Sequence, residues 1–100
     1  RQDRALLDFF RSLGQLRRHR PSLQDGDLTY VYAQGGALVL RRQLGDEITV
    51  AALNAGETAV EVSLPWPRDL AREALTFQQF FAPGGTLRLR LPPVSGMILI

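Results

Sequence analysis

Thr86-Leu87-Arg88-Leu89-Arg90-Leu91 is the stretch that decides the fold. Its leucines and arginines alternate strictly, the period of a strand with one face in a core and the other in water. Working outward, Pro83-Gly84-Gly85 makes a turn before it and Pro92-Pro93 ends it. Gly96 to Ile100 then reads as a last strand. Upstream, Leu28 to Ala33 and Ala37 to Leu44 read as strands joined by a tight turn at Gln34-Gly35-Gly36. Gly45-Asp46 is a two-residue hairpin candidate leading into Ile48 to Leu53, which is nearly all apolar and therefore expected at the sheet centre. Thr58 to Leu64 alternates less cleanly. Pro65-Trp66-Pro67 opens an irregular stretch to about Ala74, and Leu75 to Phe81 is read as a strand in preference to a helix.

Ahead of the strands the period changes to that of a helix, from Arg1 to about Arg18. At 100° per residue Ala5, Leu6, Phe9, Phe10, Leu13 and Leu16 fall in an arc about 140° wide, with Arg4, Asp8, Arg11, Gln15 and Arg18 opposite. Gly14 weakens this helix and Pro21 closes it. The expected fold is mainly β: an antiparallel β-sandwich of Greek-key type, residues 21–100, preceded by one amphipathic α-helix, residues 1–20. The helix opens without a start signal and the chain stops in an apolar strand, so the expectation is a portion of a larger protein.

One hundred residues make a single domain, and 45% apolar content argues against intrinsic disorder. The absence of cysteine excludes disulfides, thiolate-metal sites and cysteine nucleophiles. No apolar run approaches a membrane span, so no membrane partner is expected. All twelve basic residues are arginine, yet the net charge is only +2. Arg17, Arg18, His19 and Arg20 cluster where a helix ends, a place where cations offset the helix dipole. With no aromatic interleaving, nucleic acid is not expected as a partner.

Chemistry-bearing residues do not gather. His19 is the only histidine and reads as a surface or capping residue. Asp25 and Asp27 flank Gly26, but a calcium loop needs further oxygen ligands at set intervals, so a turn is preferred. Glycoside hydrolysis needs two carboxyl groups facing each other across the bond. Asp46 and Glu47 are strand neighbours that point to opposite faces, and Glu57 with Glu61 is an exposed pair near a turn. No catalytic, metal or cofactor site is expected. Trp66, between two prolines, is a candidate for stacking on a sugar, although covering the core is the commoner role. Tyr30 and Tyr32, read as sharing one strand face, are weaker candidates for the same contact.

The segment Leu16-Arg17-Arg18-His19-Arg20-Pro21-Ser22-Leu23-Gln24-Asp25-Gly26-Asp27 resembles a junction of the α-amylase superfamily, glycoside hydrolase family 13. There the last helix of the (β/α)8 barrel leads into a C-terminal β-domain. Ala37 to Arg42, Ala52-Leu53-Asn54 and Leu91-Pro92-Pro93-Val94-Ser95-Gly96-Met97-Ile98-Leu99 resemble successive strands of that domain, the last being most similar to the neopullulanase, cyclomaltodextrinase and maltogenic amylase group. Pro65 to Phe81 departs from the family pattern. The resemblance implies a retaining α-glucan hydrolase whose catalytic acids lie in a barrel absent from these residues; none of its catalytic motifs has a matching position. On this view the chain is a non-catalytic accessory domain, inactive alone, and the group resembled favours a cytoplasmic location. Its partner is the barrel of the same polypeptide, docked on the stripe Leu6, Phe9, Phe10, Leu13 and Leu16. The alternatives are a self-standing glucan-binding module, or an interaction module that forms homodimers through an exposed helix.

Overall fold

A computed structural model describes residues 2–100, with side chains from Arg4 onward. Helix α1 (Gln2–Arg17) and a short helix α2 (Pro21–Asp25) precede eight strands. These are β1 (Asp27–Gln34), β2 (Ala37–Leu44), β3 (Glu47–Asn54), β4 (Val60–Pro65), β5 (Leu70–Arg72), β6 (Gln79–Phe81), β7 (Thr86–Leu91) and β8 (Ser95–Leu99). The expected helix start at Arg1 lies outside the described residues. The first helix ends at Arg17, three residues short of the expected stop at Pro21, which opens the second helix instead: proline at the first helical position lacks only an N–H that has no partner there.

Strands β1-β2-β3-β8 form an antiparallel sheet in that order, β4 pairs with β7, and β5 with β6. The sequence expectation of a β-sandwich with one long helix holds. Both early hairpins are two-residue loops, since Gln34 pairs with Ala37 and Leu44 with Glu47. Gly35 and Gly36 sit at φ 61° and 86°, the left-handed pair that matches the strand twist in such loops.

The main core lies between the large sheet and β4-β7. Val39, Ile48, Val50, Ala52 and Leu99 meet Val62, Leu64, Leu87, Leu89 and Leu91, with Trp66 closing one end. The alternation in β7 maps onto this core: its leucines are buried and its arginines exposed. Strand β3 has no such alternation because both its faces are covered. Val50 and Ala52 enter the main core, while Ala51 lies under α1 in a second cluster with Phe9 and Ile98. The helix comes so close to β8 that a Cβ at Gly96 would overlap the Phe9 ring.

Two segments departed from expectation. The stretch Pro65 to Ala74 contains β5, and Leu75 to Phe81 is a turn followed by the three-residue β6. The cause is Glu73, a buried carboxylate that ends β5 by capping the turn. Its Oε1 accepts the N–H groups of Leu75 and Thr76 at 2.7 and 2.8 Å, and its Oε2 accepts that of Ile98 on β8 at 2.9 Å.

Candidate functional site: a half-covered helix and its groove

The apolar stripe of α1 is divided by the fold. Phe9 is buried, and Leu13 and Leu16 pack beside it on Leu53, Ala51, Ile98 and Ala74. Leu6 is half-buried, whereas Phe10 is 53% exposed and touches Phe9 edge-on. Leu7, outside the stripe read from the sequence, is exposed on the same side as Phe10. Half of the stripe thus covers the sheet of its own chain, and the other edge is bare.

Phe10 on that bare edge lines one wall of a groove of about 300 Å³, with Leu28, Leu40 and Ala51 from the sheet and Leu23 from α2 opposite. Arg42 lines it too, donating from Nη2 to Gly26 O at 3.0 Å. Its Nε is buried without an acceptor among the described residues. The groove is therefore apolar with one unmet donor, a combination in which leaving the donor unpaired costs free energy.

The groove has rigid walls because the α1–α2 junction is fixed to β3. Arg20 donates from Nε to Thr49 Oγ1 at 2.8 Å and from Nη2 to Ile48 O at 3.0 Å. Ser22 N–H donates to Glu47 Oε2 at 2.6 Å, and the Ser22 and Thr49 hydroxyls share a hydrogen bond of 2.8 Å. The bonds from Ser22 hold the Glu47 carboxyl below its ordinary pKa range, with help from the Arg20 charge and against a small cost of burial. Arg20 thus belongs to a structural network and not to a free basic patch.

The tryptophan and tyrosine candidates are scattered. Trp66 is 2% exposed and donates from Nε1 to Leu70 O at 2.9 Å, so its indole offers no face for a sugar to stack upon. Its flanking prolines suggested an extended surface loop, but the chain turns inward between them. Tyr30 and Tyr32 do not share a face. A bulge between them pairs Tyr30 with Leu40 and Tyr32 with Val39, which are neighbours pointing opposite ways. Tyr30 is exposed on the α1 side of the sheet, and Tyr32 packs on the main core.

His19, Asp25, Asp27, Asp46, Glu57 and Glu61 are all exposed and spread along the chain. Among the described residues no three histidine, cysteine, aspartate or glutamate side chains group as a metal site. No described helix is long and apolar enough to cross a membrane. Sequence reasoning missed Glu73, the Arg20–Ser22–Glu47–Thr49 network and the buried Asn54. Asn54 donates to Thr58 O and Leu91 O, and accepts Gly56 N–H. A polar residue ending the apolar run of β3 was the one signal for it.

No family model matches the chain. It is 24% identical over 117 aligned residues to an amylopullulanase of Thermoanaerobacterium saccharolyticum, an alignment covering 99% of this chain and 9% of the relative. Its fold superposes on the α-amylase of Geobacillus thermoleovorans, solved with acarbose, at TM-score 0.77 and 31% identity, covering 86% of this chain and 20% of that one. An Anoxybacillus α-amylase gives TM-score 0.78 and 27% identity, covering 94% and 22%. The chain therefore spans under a tenth of that curated relative and about a fifth of the solved enzymes.

Proposed function

We propose, starting from this chain as an α-amylase superfamily (glycoside hydrolase family 13) C-terminal β-domain with the helix that precedes it, that it is a scaffold without chemistry of its own. Its role is to cover apolar surface of a catalytic (β/α)8 barrel in the same polypeptide and fix that barrel's orientation. The parent would hydrolyse α-glucosidic bonds in starch, pullulan or cyclodextrins, with the neopullulanase and cyclomaltodextrinase group as the narrower expectation.

The observation that carries this reading is the half-bare helix. Phe10 on one wall and Leu28 and Leu40 on the other, with the exposed Leu7 one turn along the helix, leave apolar surface that a single docked partner would bury. Full burial of a phenylalanine is worth about 1.5–3 kcal/mol, and Phe10 has roughly half of that still to gain. The carboxylates described above are exposed and spread along the chain, which fits a non-catalytic role.

The test is complementation. A related α-amylase stripped of its own β-domain should bind this protein and regain thermal stability, while the protein alone releases no reducing sugar from starch or β-cyclodextrin. Phe10→Ser should weaken that association about fivefold. Reducing sugar released by the protein alone would overturn the reading, as would equal binding by the variant. Light scattering addresses the alternative: a dimer that Phe10→Ser dissolves would make a second copy, not a barrel, the occupant of the groove.

A further inference from the structure

On the side of the sandwich where β5 and β6 pair, a second surface has a different chemistry. Leu70 pairs with Phe81 and Arg72 with Gln79, so these four side chains share one face of the hairpin, while Ala71 and Phe80 turn to the core. Phe81 is 74% exposed. Beyond it, in the turn capped by Glu73, Phe77 is 64% exposed at φ 64°. A left-handed backbone is unfavourable for so bulky a residue, and this ring recovers little by burial. The turn nonetheless holds it in place. Phe77 N–H donates to Glu73 O at 2.9 Å, and the Arg72 guanidinium carbon lies 5.6 Å from the ring centroid.

Beside this face is a cleft of about 420 Å³ lined by Arg20, Glu47, Arg68, Leu70, Arg72 and Gln79. It offers guanidinium donors, a carboxylate acceptor and an amide that does both. An anion would meet Glu47. An apolar peptide would desolvate the remaining guanidinium donors without pairing them. A neutral polyol suits both halves, its C–H face against a phenyl ring and its hydroxyls on the Arg72, Gln79 and Glu47 side chains.

We propose that the exposed β5–β6 face and its adjoining cleft bind an oligosaccharide chain, with Phe77 and Phe81 as stacking platforms and Arg72, Gln79 and Glu47 as hydroxyl partners. That the sugar is an α-glucan rests on the scaffold reading above; the cleft itself asks only for a sugar chain. The site lies on different residues from the α1 groove, so barrel docking and sugar binding fail separately.

The experiment is an amide NMR titration of the protein with maltoheptaose, and in parallel with cellohexaose. Saturable shifts centred on Arg72, Phe77, Gln79 and Phe81 are expected with maltoheptaose, and Phe81→Ala should weaken them about tenfold. Phe77→Gly, which suits the left-handed backbone, should melt no lower than the parent protein and still bind more weakly. Binding of cellohexaose alone would keep the site and refute the α-glucan assignment. Shifts absent from these residues, or unchanged affinity in both variants, would overturn the proposal.

Discussion

Replacing Glu73 by alanine should destabilise this fold markedly, and the hydrogen bonds give the size of the effect. The side chain is buried and its two oxygens take three backbone N–H groups. The Leu75 and Thr76 donors lie near solvent and can turn to water at little cost. The Ile98 donor cannot: Ile98 is fully buried, and an unsatisfied buried N–H costs about 1–3 kcal/mol. Loss of the turn cap and of carboxylate packing brings the total to about 3 kcal/mol. With a urea slope of about 1.5 kcal/mol/M, the unfolding midpoint should fall by about 2 M. Glu73→Gln should lose roughly half as much, because its oxygen can serve one side while its NH₂ opposes a donor on the other. Hydrogen exchange adds a local readout, since the Ile98 amide should lose protection in both variants. A midpoint within about 0.3 M of the parent for Glu73→Ala, with Ile98 still protected, would refute the reasoning.

Other outcomes follow from the same contacts. Gly96→Ala places a methyl group inside the Phe9 ring, so α1 must shift off β8; a stability loss of about 1–3 kcal/mol and disturbed Phe9 ring resonances are expected. Gly14→Ala, where the added Cβ meets nothing within 4 Å, should stabilise the helix by up to about 1 kcal/mol in the same melts. Glu47 has its pKa lowered by Ser22, so its contribution is present above the ordinary carboxylate pKa and is lost as pH falls through the lowered folded value. The group is partly exposed and screened, so the effect should stay below about 1 kcal/mol. The stability gap between the parent protein and Glu47→Gln should therefore be present at neutral pH and close on acidification, as thermal melts in a pH series would report.

The sequence was a good guide wherever structure was local. Strict alternation locates β7, Gly35-Gly36 and Gly45-Asp46 locate the first two hairpins, and the nearly all-apolar run of β3 points to its place between two covered faces. It misled where one residue breaks the period or a distant partner decides. A period of two assumes no bulge, so it places Tyr30 and Tyr32 on one face, whereas the extra residue between them turns them to opposite faces. Leu75 to Phe81 was ambiguous because the group that shapes it, Glu73, is held by Ile98, twenty-five positions away. For Trp66 the commoner of the two roles open in the sequence, covering the core, is the one the fold realises, at the end of the space between the large sheet and β4-β7. The helical stripe was visible as a whole, but its division into a covered and a bare half depends on where β8 lies.

The pairing of α1 with β8 also sets a timetable. Phe9 must wait for Gly96 and Ile98, so during synthesis the ribosome has to deliver nearly the whole intervening chain before the ring has its seat. At about 5–20 residues per second that interval lasts several seconds. Throughout it, the first helix is a greasy segment in search of a host, and under the proposed scaffold role the barrel, emerging earlier, has the first opportunity to shelter it.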